Sequence, residues 1–193
     1  MNSRQQSPDR IIIGISGASG IVYGIEVLRA LQKQAIETHL VVTKSAILTL
    51  THESDMKYKQ LCELADFHYA NSEIDAPIAS GSFRTRGMII APCSIKSMSE
   101  IASGVTASLL SRAADVVLKE RRKLVLMVRE TPLHAGHLQT MLNITAMGAI
   151  VTPPVPAFYT RPQSLDEVIK QSVGRALDLL AVENSLVSRW GEE

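Results

Sequence analysis

The chain has 193 residues, with 20 Lys and Arg against 19 Asp and Glu, a formal net charge of +1. That length suits one domain with a sizeable core, and 46% hydrophobic with 20% charged residues excludes a disordered chain. The near-zero charge and eight aromatic residues exclude a dedicated nucleic-acid binder, and two cysteines, Cys62 and Cys93, cannot build a disulfide framework or a four-ligand zinc site unaided.

From the amino end, residues 1–9 are polar and read as a flexible segment without the apolar stretch of a secretory signal. A buried strand is predicted over residues 11–15 (Ile-Ile-Ile-Gly-Ile), then a turn, then a helix in which Ile21, Ile25 and Leu28 share one face. A second strand is predicted over 39–42, followed by a helical segment after Thr43. Residues 51–82 show no clear pattern beyond a helix near 57–65. Further strands are predicted over 88–91, ending at Pro92, over 124–128 and over 149–151. Helices are predicted over 97–103, 108–121, 134–147 and 165–183, the last opened by a capping box from Ser164 to Glu167. Short apolar strands alternating with helices imply a single α/β, doubly wound, Rossmann-like (flavodoxin-like) domain with a mostly parallel sheet. Residues 131–160 carry no charge, but His134, His137, Gln139, Asn143, Pro153, Pro154 and Pro156 rule out a spanning helix there. A cytoplasmic location is expected.

Ligands of open α/β sheets bind outside the carboxyl ends of the strands. The turn Gly17-Ala18-Ser19-Gly20 lacks the G-x-G-x-x-G spacing of dinucleotide sites. It can present free amides and a hydroxyl to a phosphate, or be no more than a tight strand-to-helix turn. Ser94, Lys96 and Ser97 follow the third predicted strand and could hold a phosphate in the same way. Cys93 and Cys62 read as small buried hydrophobes. Between residues 112 and 129, six basic residues (Arg112, Lys119, Arg121, Arg122, Lys123, Arg129) face two acidic ones (Asp115, Glu120), a local excess of +4. Arg112, Asp115, Lys119 and Arg122 share one helical face, which is either a solvated salt-bridge face or an anion clamp continued by Arg129-Glu130. Arg175 falls at the border of the apolar stripe of the last helix, placed for solvent or for a second subunit.

Several motifs in order give the chain a resemblance. They are Gly17-Ala18-Ser19-Gly20, Thr51-His-Glu-Ser-Asp55, Ala79-Ser-Gly-Ser82, Pro92-Cys-Ser94, residues 111–122 (Ser-Arg-Ala-Ala-Asp-Val-Val-Leu-Lys-Glu-Arg-Arg), Val128-Arg-Glu130, Phe158-Tyr-Thr-Arg-Pro162 and Arg189-Trp-Gly-Glu192. Together they resemble the flavin prenyltransferases of the UbiX type, including members associated with phenolic-acid decarboxylation. The match spans residues 10–193, read as one flavoprotein domain.

That resemblance implies transfer of a dimethylallyl group from dimethylallyl phosphate to N5 and C6 of reduced FMN, without a metal. The product, prenylated FMN, serves a UbiD-type decarboxylase. It implies FMN contacts from Gly17, Ala18, Ser19, Thr43, Ser94, Ile95, Lys96, Ser97 and Arg129. The prenyl phosphate would meet Arg112, Lys119, Arg129, Glu130, Tyr159 and Arg175, with Ser19, Glu53, Lys119 and Glu130 as the catalytic candidates. It further implies a homo-oligomer, a dodecamer, with sites between subunits. Two other readings fit the same fold: a non-catalytic FMN carrier for a decarboxylase, and a cysteine-type flavin decarboxylase. The latter needs a P-x-M-N motif and a catalytic histidine, where this chain has residues 153–159 (Pro-Pro-Val-Pro-Ala-Phe-Tyr).

Overall fold

The computed structural model describes residues 9–191. The expected flexible segment therefore lies outside the described residues, except for Asp9, which pairs with Arg86. Glu192 and Glu193 lie outside them as well.

The branched run that opens the chain forms β1 (Arg10–Ile15), followed by α1 (Ile21–Leu31) and β2 (Glu37–Val42). Next come α2 (Lys44–Glu53), α3 (Tyr58–Cys62) and β3 (Phe67–Ala70). A 3-10 turn (Pro77–Ala79) leads to β4 (Gly87–Cys93), α4 (Ile95–Ala102), α5 (Leu109–Lys119) and β5 (Lys123–Val128). The chain ends through α6 (Ala135–Ala146), β6 (Ile150–Val151), a second 3-10 turn (Phe158–Thr160) and α7 (Leu165–Leu179). All strands pair in parallel, in the order β3-β2-β1-β4-β5-β6. The order reverses between β1 and β4, which makes their carboxyl ends the switch point where such sheets bind ligands.

Alternation along β1 explains the two layers. Ile11, Ile13 and Ile15 pack with residues of α1, α2 and α7, whereas Ile12 packs with those of α4, α5 and α6. Both sheet faces are covered, so residues 11–15 of β1, 88–93 of β4 and 124–128 of β5 are buried runs without a charged side chain. Burying each such isoleucine stabilises the fold by roughly 1.5–3 kcal/mol. Among the described residues, no helix is long and apolar enough to cross a membrane.

The differences from the predicted elements have physical causes. β3 is a sixth strand not legible in the sequence, because as an edge strand it buries little: Phe67, His68 and Ala70 are all exposed. β4 runs past Pro92 to Cys93, and the register irregularity between Ile90 and Cys93 absorbs a residue that cannot donate to the ladder. α4 and α5 start one residue after a serine cap, Ser94 accepting from the Ser97 amide and Ser108 from the Ser111 amide. α5 stops at Lys119, and Arg121 adopts a positive φ, so Arg122 does not share the helical face of Arg112 and Lys119. α7 ends at Leu179 rather than Glu183, ahead of Ala181 at φ 56. Its cap is half of the expected box. Ser164 accepts from the Glu167 amide, but the Glu167 carboxylate takes the amide of Gln163.

Candidate active site

At the switch point the ends of β1 and β4 are tied by one buried hydroxyl. Ser16 Oγ donates to the Pro92 carbonyl at 3.1 Å and accepts the Ser94 amide at 2.7 Å. The following turn presses against the first turn of α2, and Gly17 makes this possible: a Cβ there would lie 2.2 Å from the Cβ of Ser45. Gly20 then enters α1 in the left-handed region, at φ 102.

Three capped helix N-termini converge beside this turn. Thr43 caps α2 by accepting from Ala46, while Ser94 caps α4 and Ser108 caps α5. Each cap satisfies one amide, leaving other first-turn N–H groups for an anion, with the positive end of each helix dipole behind them. They border one cavity of about 770 Å³, lined among others by Gly17, Thr43, Ser94, Ile95, Lys96, Ser97 and Glu130. An amide-, hydroxyl- and lysine-rich end suits a phosphate, and the size suits a nucleotide-like ligand.

A second group sits at the entrance to α1. Glu53, the last residue of α2, accepts the amides of Gly20 at 2.8 Å and Ile21 at 3.0 Å. Partial burial pushes the Glu53 carboxyl up, but hydrogen bonds from Ser19 and these two amides, together with the Arg129 charge, outweigh it and hold the group below the usual carboxylate range. Ser19, Glu53 and Arg129 are thus brought together. Arg129 extends the ladder past β5, its amide donating to the Cys93 carbonyl at 3.0 Å, and Glu130 follows it on the cavity wall.

The single chain does not bring the remaining predicted residues to this cavity. Arg112 pairs with Asp115 at 3.0 Å and donates to the Ala79 carbonyl at 3.3 Å. Lys119 pairs with Glu120 at 2.5 Å at the far end of α5, about 16 Å along the helix axis from Ser108. Arg122 anchors the 79–82 loop through the carbonyls of Gly81 and Phe83. Tyr159 and Arg175 belong to a separate network on α7 and the C-terminal residues, where Arg175 pairs with Asp178 at 2.8 Å. Cys93 is fully buried, and desolvation pushes its thiol up to about 12, so it is a core residue and no nucleophile.

Sequence reasoning missed Tyr58, Asn71 and Ser108, all on the cavity wall. Burial and the neighbouring Cys62 push the Tyr58 phenol up to about 12, so it stays a donor. Asn71 ties the turn after β3 to α5, accepting the amides of Leu109 and Leu110. Without β3 nothing in the sequence points to Asn71. Ser108 carried a signal, since a serine ahead of an amphipathic run is a cap.

Residues 1–176 match the family model described as "Flavoprotein". The chain is 54% identical over 184 residues to "Flavin prenyltransferase UbiX" of Escherichia coli (strain K12), covering 94% of this chain and 97% of that protein. It belongs to the flavin prenyltransferase family of flavoproteins. Among solved structures, AnUbiX (PadA1) in complex with FMN and dimethylallyl pyrophosphate superposes with a TM-score of 0.94 at 46% identity, covering 97% of this chain and all of that one. A dodecameric FMN-dependent UbiX-like decarboxylase from Escherichia coli O157:H7 gives 0.92 at 43% identity, covering 94% of this chain and 98% of that one. Membership accords with the cavity's place at the switch point of a flavodoxin-like sheet.

Proposed function

We propose that the chain transfers the dimethylallyl group of dimethylallyl phosphate to N5 and C6 of reduced FMN, and that the prenylated flavin passes to a UbiD-type aromatic-acid decarboxylase. One observation carries this reading. A cavity with a phosphate-binding end made of helix N-termini also carries, on its wall and beside it, Glu130 and the Ser19–Glu53–Arg129 group. A flavin carrier needs the first feature, with Ser19 and Arg129 beside it, and has no use for the carboxyl groups of Glu130 and Glu53 at the flavin's edge. The complex of the AnUbiX relative with FMN and dimethylallyl pyrophosphate supports FMN and a dimethylallyl phosphoester as the two ligands.

The donor set fits FMN: amides and hydroxyls at Gly17, Ala18, Ser19, Thr43 and residues 94–97 would hold it, with Arg129 at its edge. Reduced FMN supplies an electron-rich N5 able to accept an allyl carbon. Cleaving an allylic C–O bond builds negative charge on the leaving phosphate, which fixed Arg and Lys groups stabilise without reorganising. Arg112, Lys119, Arg129, Tyr159 and Arg175 fill that role, without a divalent metal. Glu130, Glu53 and Ser19 move protons at the prenyl alkene and the flavin edge.

Because Lys119 and Arg175 lie away from the cavity in one chain, the complete site draws them from neighbouring copies. Exposed apolar side chains fit such an assembly: Leu138 and Leu142 on α6 are 54% and 63% exposed, and Phe158 and Trp190 75% and 82%. The dodecameric relative supports a dodecamer. The test is complementation. Lys119→Ala and Glu130→Gln are each expected to abolish turnover while sparing FMN binding, and their mixed oligomer to regain part of it. Turnover in either variant alone would remove that residue from the clamp, and an inactive mixed oligomer would place the whole site within one subunit.

A further inference from the structure

Gln171 on α7 is only 6% exposed, unusual for a glutamine, and the proposed reaction leaves it without a role. Its side-chain amide closes a small network. Nε2 donates to the Tyr159 hydroxyl at 3.2 Å and to the Ser188 carbonyl at 3.3 Å, and Oε1 accepts the Ser188 amide at 2.9 Å. The Ser188 N–H can only donate, so the oxygen of Gln171 must face it and the nitrogen must face Tyr159. The Tyr159 hydroxyl in turn donates to the Ser188 carbonyl at 3.4 Å, a long and weak bond.

Seven residues along α7, Asp178 fixes the surrounding frame. It takes both terminal nitrogens of Arg189 at 3.0 and 2.9 Å, Arg175 at 2.8 Å and the Asn184 amide at 3.0 Å. Trp190 stands edge-on to Tyr159 with ring centroids 5.6 Å apart.

A phenol has one proton to give and lone pairs to receive. The N–H of Gln171 engages a lone pair, so the O–H is the group that Tyr159 has left to offer an incoming acceptor. Its resting acceptor, the Ser188 carbonyl, is poorly placed and gives way to a charged phosphate oxygen. Hydrogen bonds running in one direction polarise each other, so the N–H behind the phenol strengthens the O–H in front of it.

We infer that Gln171 is a positioning residue that commits Tyr159 to donating its proton to the phosphate of the prenyl substrate, within a frame that Asp178 holds. This rests on the proposed reading of Tyr159 as a ligand of that phosphate. A glutamate at position 171 would keep the size and still accept the Ser188 amide, but it would take the tyrosine proton and turn a lone pair toward the phosphate. A purely structural glutamine would tolerate that change better than a leucine.

The experiment measures KM for dimethylallyl phosphate, kcat, and FMN affinity in the intact oligomer. Tyr159→Phe is expected to raise KM about tenfold with little change in kcat or FMN affinity, as for one lost bond to a charged group. Gln171→Glu should raise KM at least as far, and Gln171→Leu, which frees the hydroxyl to turn, by less. Adding Gln171→Glu to Tyr159→Phe should have no further effect, since both act through one hydroxyl. A normal KM in Gln171→Glu, or additive effects in the double variant, would overturn the inference on Gln171. An unchanged KM in Tyr159→Phe would instead remove Tyr159 from the phosphate site.

Discussion

Glu53 joins a helix cap to a catalytic candidate. Its carboxylate satisfies two amides at the start of α1, where Gly20 has no side chain to do so. Its depressed pKa keeps it ionised through neutral pH, so it suits moving a proton with Ser19 and is no reservoir of one. Glu53→Gln keeps an oxygen for the amides and should cost less than about 1 kcal/mol of stability. It should lower turnover about a hundredfold, the lower range for a lost acid–base group; thermal melts and single-turnover rates separate the two effects.

His39 is a further residue whose surroundings shift its titration. It lies 2% exposed, stacked on Phe67 with centroids 5.1 Å apart, and bonded to Tyr69 and Glu37. Burial lowers its pKa, and Glu37 only partly opposes this. A histidine held neutral in the fold charges first in the unfolded chain, so stability falls as pH drops below about 6.5. Urea midpoints at pH 7.5 and 5.5 should differ in the wild type and differ less in His39→Gln. Glu37 and Glu53, both held below the usual carboxylate range, stay ionised across that window.

At the scale of elements, legibility followed burial. The five strands predicted from the sequence are apolar because helices cover them on both faces or, for β6, because it pairs with β5 near the core. β3 escaped because its side chains face solvent and its own aromatic partners, and with it went the cavity contribution of Asn71. The switch-point loops were legible as Gly/Ser turns, since backbone approach and helix capping restrict residue choice. Gly17 shows how tightly: Gly17→Ala should lose about 1–3 kcal/mol of stability and weaken FMN binding, because the new methyl would overlap Ser45. Calorimetry with and without FMN checks both parts. The charge pattern and periodicity singled out Lys119 and Arg175 but left a salt-bridge face and a rim arginine open for them; the phosphate role proposed for them rests on resemblance, because one chain does not bring them to the cavity. Periodicity also carried α5 too far, placing Arg122 on its face when it anchors the 79–82 loop.

For the whole molecule, average and distribution tell different stories. A net charge of +1 describes the surface poorly when basic residues gather on α5 and just beyond it, while residues 131–160 carry no charge and expose leucines. The first pattern fits a phosphate clamp and the second fits contact between copies. Leu142→Glu should leave the fold intact and disrupt assembly, seen as a smaller mass by light scattering, with turnover lost alongside. Full activity in such a dissociated variant would contradict a site shared between subunits.

The most direct measurement is the mass of the flavin after anaerobic incubation of the purified oligomer with reduced FMN and dimethylallyl phosphate. The expected result is a flavin heavier by one dimethylallyl unit, formed with metal chelated away. Tightly bound but unmodified FMN under the same conditions would contradict the prenyl-transfer account and leave a carrier in its place.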